Sequence, residues 1–299
     1  MISVILPSYN SEKTIVNVIK ALQTQTFSEP YEIILVDSSV DKTPELVRAH
    51  FPDITYIHLD KKTDPGTARN LGLKKSSGDI ILFIDSDCIA QEDWIERMVK
   101  RHRESDYAAV GGGVLNGNDP KSDVAWAGYM AEFREFIPQR PAAEVDHIPT
   151  CNISYKRRYL EELGGFNPLY YPQEDLEFNY RLRRAGGKIL FTPDACVRHH
   201  HRTTLSDFFR HQKNVGRITA MMLRILPLEG ASIARNKILA LLAIVPMPLL
   251  KWWRTVKVFR RYRGDLLKDH PFALFVFAGG LLPWAAGFMK GVFAKGFEK

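Results

Sequence analysis

The sequence predicts an α/β fold built on a mostly parallel sheet, and three observations carry that prediction. Short apolar, β-rich runs alternate with segments of helical period through the first ninety residues. The first three strand ends to be read for ligands close on Pro7, Asp37 and Asp85, where open α/β sheets hold ligands. The chain is also long enough to bury a full core, with 299 residues, 45% of them hydrophobic and 25% charged.

Ser3 to Leu6 is a short apolar run stopped by Pro7, and Asn10 and Ser11 follow as cap candidates. Ile15, Val18, Ile19 and Leu22 then recur at helical spacing. Glu32 to Val36 reads as a second strand ending at Asp37, and Pro44 to His50 as a short helix with proline in its first turn. Ile54 to Leu59 is a third strand. Ala68 to Lys75 reads as a helix closed by Ser77-Gly78, and the almost wholly apolar Ile80 to Ile84 as a buried central strand. Gly111-Gly112-Gly113, ahead of Val114-Leu115, reads as a tight or bulged start to a strand. Leu205 to Leu226 carries Phe208, Val215, Ile218, Met222 and Ile225 at about helical period, a face expected to cover the sheet.

Several function classes drop out. No GxGxxG follows the first strand and no GxxxxGK[ST] occurs, which disfavours an ordinary dinucleotide site or a P-loop. The 41 Lys and Arg against 34 Asp and Glu give a net charge of +7, suited to an anionic partner. Nucleic acid is not the expected one, because the basic residues gather beside apolar helices and no reader motif is present. Cys88, Cys151 and Cys196 are far apart in sequence with no CxxC pair, so reduced thiols are expected rather than a disulfide framework or a structural zinc cluster. Met1-Ile-Ser-Val-Ile-Leu-Pro has none of the features of a secretory leader, so a cytoplasmic setting is expected.

Three stretches carry chemistry. Asp85-Ser86-Asp87 places two carboxylates two residues apart at a strand end, where like charges call for a cation or several donors. Hard oxygen ligands suit Mg²⁺ or Mn²⁺; the plainer reading is that these acids cap the helix starting near Asp93 or sit solvated in a turn. Gln173-Glu174-Asp175 stands before Leu176, Phe178 and Leu182, so helix-dipole stabilisation accounts for one acid and leaves the other for general-base work. Val197-Arg198-His199-His200-His201-Arg202 follows another apolar run. Three successive histidines alternate faces on a strand, so only one or two can serve a site. A neutral imidazole could complete a Mn²⁺ site with Asp87, and Arg198 or Arg202 could hold phosphate. The alternative, preferred for His200, is a solvated basic turn.

Taken in order, Ser3-Val-Ile-Leu-Pro-Ser-Tyr-Asn10, Glu32-Ile-Ile-Leu-Val-Asp37, Pro65-Gly-Thr-Ala-Arg-Asn70, Gly78-Asp-Ile-Ile-Leu-Phe-Ile-Asp-Ser-Asp87, Asn152, Leu163-Gly-Gly-Phe166 and Glu174-Asp175 resemble a family 2 glycosyltransferase with the GT-A fold. The resemblance implies a nucleotide-sugar donor site formed by Pro7, Tyr9, Glu12, Asp37, Arg69, Asp85 and Ser86. Within it Asp37 would meet the base, and Arg69 the base or diphosphate. Asp85 and Asp87 match the DxD motif, with Asp87 a direct ligand of Mn²⁺ or Mg²⁺, and His199 fits a later histidine that binds metal or diphosphate in some members. Asp175 matches the catalytic base of inverting members, with Glu174 beside it placing the acceptor. Two departures stand out: Ser38-Ser39-Val40-Asp41 is shorter than the usual continuation and lacks its second acid, and no QxxRW follows the histidines, which implies transfer of one sugar per encounter. A polyprenyl-phosphate sugar transferase and a catalytically silent nucleotide-sugar-binding scaffold are the alternatives.

The expected organisation is a transferase domain over residues 1–230 and a helical membrane-associated region over 231–299. Ile238 to Leu250 has thirteen residues without a charge and Phe272 to Met289 has eighteen, against about 20 needed to span a bilayer. The intervening stretch is basic, and Trp252, Trp253 and Trp284 suit a headgroup zone. Attachment to an anionic membrane surface on the cytoplasmic face follows, with a glycan or lipid-linked acceptor. A buried helical pair or a homo-oligomer interface is the competing account of the same apolar faces.

Overall fold

The computed structural model describes residues 1–297. Its strands are β1 (Ile2–Ser8), β2 (Tyr31–Asp37), β3 (Thr55–His58), β4 (Ile80–Ile84), β5 (Cys88–Ala90), β6 (Ala109–Asn116), β7 (Ala143–Val145), β8 (Asn152–Lys156) and β9 (Ile189–His199). The helices are α1 (Ile15–Gln23), α2 (Thr43–His50), α3 (Pro65–Lys75), α4 (Trp94–Glu104), α5 (Asp123–Glu132), α6 (Arg157–Glu162), α7 (Glu174–Arg184), α8 (Leu205–Ile225), α9 (Ala231–Arg235), α10 (Lys237–Ala243), α11 (Pro246–Tyr262), α12 (Gly264–Asp269) and α13 (Pro271–Val292). Contacts divide the described residues into two compact units, one made of Met1–Leu115 with Arg140–His199, the other of Asn116–Gln139 with 200–297.

The first unit is organised by one sheet of order β3-β2-β1-β4-β8-β6-β9-β5, with β7 added on β9. The four strands drawn from the first 84 residues are mutually parallel, as the alternation with helices requires. Beyond β4 the pairings β4–β8, β8–β6, β9–β5 and β9–β7 are antiparallel. Every residue of β1 is buried, and α1 buries Ile15, Val18, Ile19 and Leu22, the four positions that the spacing selects. At the start of α3 the Asp64 side chain accepts a hydrogen bond from the Thr67 amide at 2.9 Å, with Pro65 in the first turn. Gly111-Gly112-Gly113 lies within β6 rather than at a bulged start: a Cβ on Gly112 would fall 1.6 Å from the Ala195 carbonyl oxygen, so close approach of β9 demands glycine there.

His102 on α4 is a buried histidine, its Nε2 2.9 Å from Ser154 Oγ. Burial, helped by the charge of Lys156, holds its imidazole down to about 4. The unfolded chain therefore takes up a proton near pH 6.5 while the folded one does not, and stability is lost as pH falls from 6.5 to 4. The expected loss is about 3 kcal/mol, read as a fall in the urea midpoint that His102→Asn abolishes.

The second unit is helical. Its core includes Ala220, Ala234, Ala240, Trp284, Ala285, Phe288 and Val292, contributed by α8, α9, α10 and α13. α8 thus has a helix as its main partner. At Gly287 of α13 an added Cβ would sit 1.9 Å from the Lys213 carbonyl oxygen, so the two backbones touch. The buried face of α8 that its periodicity selects is thus met by α13, and the division between the two compact units falls at His199–His200. Periodicity shows that one face of α8 is buried and is silent on what buries it. His201 belongs to this unit and is buried beside Tyr129 and Phe133, with its amide donating to Asn118 Oδ1 at 2.6 Å, so a solvated turn does not describe it.

Candidate active site

The loops that follow β1 and β2 are tied to each other. Asn10 takes a left-handed φ of 53°, its amide donates to Ser39 Oγ at 2.7 Å, and its Oδ1 accepts from the Val40 amide at 3.1 Å. The Glu12 amide donates to Asp41 Oδ2 at 3.2 Å, and Glu12 Oε2 accepts from the Lys42 amide at 3.4 Å. Tyr9 keeps an exposed ring with Lys62 Nζ 4.4 Å from its centroid, whereas Pro7 is buried in β1. Asp37 is fully enclosed: Ser39 Oγ donates to Oδ1, while Tyr56 OH at 3.1 Å and His58 Nδ1 at 3.0 Å hold Oδ2. An open carboxylate facing a base is therefore not what this residue offers; it fixes the Ser38-Ser39 loop and the His58 ring. Neither Tyr56 nor His58 carries a sequence signal beyond its place on the third strand.

Asp85-Ser86-Asp87 forms the turn between β4 and β5, and its three side chains go three ways. Ser86 Oγ lies 2.7 Å from Ser11 Oγ, and its carbonyl accepts from Thr14 Oγ1 at 2.6 Å, which anchors the turn to the start of α1. Asp85 Oδ1 accepts from Arg69 Nη2 at 2.7 Å, and Arg69 Nη1 donates to Glu174 Oε1 at 2.8 Å. Arg69 is 3% exposed, so one buried guanidinium joins the turn after β4 to the first residue of α7, which lies 105 positions beyond Arg69 itself. Asp87 points the other way, its Oδ1 3.7 Å from His199 Nε2 at the end of β9. Neither acid caps α4, which begins after Asp93.

Asp175 follows Glu174 in the first turn of α7, where the helix dipole favours acids. Its Oδ2 accepts from the Thr150 amide at 3.1 Å and lies 3.4 Å from Thr150 Oγ1; its Oδ1 accepts from the Leu176 amide at 2.7 Å. Thr150 gave no sign of this role in the sequence.

The carboxylates converge electrostatically. Asp85, Glu174 and Asp175 all act on Arg69, and together they raise its guanidinium against the opposing effect of burial. Burial raises Asp85 despite the pull of Arg69, and Asp87 adds to the rise. Burial likewise pushes Glu174 up to about 7, again against Arg69 and with Asp175 adding to the rise. Three acids thus share one buried guanidinium and Asp87 adds a fourth negative charge beside Asp85, an excess that a divalent cation would correct.

The donor set fits a hard cation. Ligand atoms of Asp87, Cys88 and His199 lie within 4.8 Å of one another. Cys88 is fully buried, burial first and then its contact with Cys151 raise its thiol well above the ordinary range, and soft sulfur suits Mn²⁺ or Mg²⁺ less well than the oxygen and nitrogen beside it. Carboxylate and imidazole are left, a set suited to Mn²⁺ or Mg²⁺. The contact between Cys88 and Cys151, 63 residues apart, was invisible in the sequence.

A family model for glycosyl transferase family 2 matches residues 3–164. The chain is 24% identical over 222 residues to a pre-mycofactocin glycosyltransferase of Mycobacterium tuberculosis, covering 72% of this chain and 46% of that protein. It thus spans about half the length of that relative. It is 28% identical over 225 residues to glycosyltransferase AglE of Haloferax volcanii, covering 72% of each. In three dimensions it resembles the mannosyltransferase PcManGT of Pyrobaculum calidifontis, solved with GDP-Man and Mn²⁺, at a TM-score of 0.62 and 18% identity, covering 98% of this chain and 87% of the other. With the model spanning more than half of the sequence and the GT-A fold in place, the chain belongs to glycosyl transferase family 2.

Proposed function

We propose that this protein is an inverting glycosyltransferase that moves one sugar from a nucleotide-diphosphate sugar to an acceptor hydroxyl, with its catalytic part in the first compact unit. The observation that carries the reading is the Asp85–Arg69–Glu174 bridge, which ties the DxD turn to the helix start bearing Asp175. Donor site and base are thereby held by one buried cross-link.

Asp87 and His199 would hold Mn²⁺ or Mg²⁺, with Asp85 near enough to act on Asp87. Such an ion supplies charge neutralisation on the departing diphosphate. The tied loops after β1 and β2 would receive the nucleotide, with Tyr9 as an exposed aromatic surface and Asp37 acting from behind through His58 and Ser39. Asp175 would accept the proton of the attacking hydroxyl, and its two backbone-derived hydrogen bonds fix the carboxylate before the acceptor arrives. Attack opposite the leaving group inverts the anomeric centre in one displacement.

The test is a panel of nucleotide sugars with Mn²⁺ and candidate acceptors, reading nucleoside diphosphate release and the product anomer by NMR. Acceptor-dependent release with the opposite anomer is the expected result; a retained anomer, or a donor bound without turnover, would reject the reading. Product analysis also separates a sugar on a hydroxyl from a sugar on a lipid phosphate. Asp87→Ala is expected to weaken Mn²⁺ and Mn²⁺-dependent nucleotide binding together, by about tenfold or more, measured by calorimetric titration with and without the ion.

A further inference from the structure

The second unit leaves a large apolar surface uncovered. Along α10, the break after it and the first half of α11, the side chains of Ile238, Leu241, Leu242, Val245, Leu249 and Trp253 are each more than half exposed. Soluble surfaces seldom leave so many large apolar residues contiguous in sequence. By contrast α13, the longer and more apolar helix, has 44% of its central window buried and contributes Trp284, Ala285, Phe288 and Val292 to the helical core. The segment nearest to spanning length is therefore partly built into the helical core, with Phe272, Phe275 and Leu282 left exposed, and the shorter one presents the more continuous free face.

That face changes character along the chain. Between 237 and 262 there are six basic residues and no acidic one. Leu249, Leu250, Trp252 and Trp253 come first, then the exposed Lys257, Arg260 and Arg261. Trp253 sits at the seam, with Lys257 Nζ 4.9 Å from its ring centroid. Apolar side chains, then tryptophans, then lysine and arginine is the order in which a leaflet offers acyl chains, interface and anionic headgroups.

Geometry favours a re-entrant or in-plane course for this segment over a straight crossing. α10 has seven residues, and α11 departs from it at 56°. The thirteen uncharged residues Ile238 to Leu250 would give about 20 Å even as one straight helix, short of the ~30 Å hydrocarbon core. A second copy is disfavoured as occupant, because a two-fold contact covering α11 would bury the exposed Lys257, Arg260 and Arg261 with no acid on that segment to pair with them.

We propose that α10 and the first half of α11 form an in-plane wedge that docks the protein on a bilayer carrying anionic phospholipid. The wedge lies in the helical unit and does not depend on the transferase reading. The experiment is flotation of the full chain with phosphatidylcholine vesicles, with and without about one-third phosphatidylglycerol. Binding of at least tenfold preference for the anionic vesicles is expected, together with quenching of tryptophan fluorescence by brominated lipid that disappears in W252F/W253F. L241E/L242E should abolish binding to both vesicles, and K257E/R260E/R261E should remove the anionic preference, each variant keeping the circular dichroism and melting temperature of the parent. Failure of the parent chain to float would overturn the proposal. So would wild-type flotation by both variants, or a sedimentation dimer that L241E/L242E dissociates without any lipid binding. Nucleotide binding, measured on the same preparations, reports separately on the transferase site.

Discussion

Asp175→Asn is expected to lower the transfer rate by about 10²–10⁴ while leaving Mn²⁺-dependent nucleotide binding unchanged. The asparagine is isosteric and its carbonyl oxygen can still accept from the Thr150 amide, so the local cost is the single bond from the Leu176 amide, which the NH2 group cannot accept. What is lost is an oxygen able to take a proton. The neighbouring Glu174 does not substitute, because its Oε1 is committed to Arg69 and the side chain is buried. Initial rates and calorimetric titration of nucleoside diphosphate on the same sample distinguish the outcomes. Equal loss of binding and rate would make Asp175 a structural residue, and an undiminished rate would place the base elsewhere.

Sequence pattern reached the parts of this molecule that are local. β1, β2 and β4 are largely apolar runs, and Pro7, Asp37 and Asp85 at their ends are adjacent in sequence to the runs themselves, so strand and ligand end are read together. α1 is legible for the same reason, four buried positions at helical spacing. The antiparallel half of the sheet is less so. β7 has three residues, and β8 joins β4 across more than sixty positions, a pairing that no periodicity encodes. The contacts that turn separate motifs into a site are equally long-ranged: Thr150 with Asp175, Cys88 with Cys151, Tyr56 and His58 with Asp37. Asp37 shows the limit most clearly, since a strand-end acid looks the same in sequence whether it faces a ligand or is enclosed by three side chains. The tail shows another, because hydropathy ranks α13 above α10 and α11 while packing reverses which of them is left uncovered.

Arg69 is where packing and chemistry meet, and its removal should have the largest effect on stability. Family resemblance sends this side chain towards base or diphosphate, but the guanidinium is instead buried between Asp85 and Glu174. Arg69→Met would fill much of the same volume and leave two carboxylates without their counter-charge, a change that typically costs about 3–5 kcal/mol. For a unit of this size that corresponds to a melting temperature lower by on the order of 10 °C. The loss has a definite pH dependence. Glu174 is ordinarily deprotonated above 4.5 in the unfolded chain but holds its proton to about 7 when folded, so the folded form binds more protons between those values and stability falls as pH rises through them. Without Arg69 the carboxyl is pushed higher still, the falling limb extends beyond 7, and the variant should lie closest to the parent in mild acid and furthest from it near pH 8. Arg69→Lys should fall between, since an ammonium keeps the charge but cannot present two parallel donors to both acids. Urea unfolding of the three proteins at pH 6 and pH 8 checks the ordering. Identical midpoints for parent and Arg69→Met at pH 8 would mean that the bridge is dispensable, and with it the argument that one cross-link holds donor turn and base together.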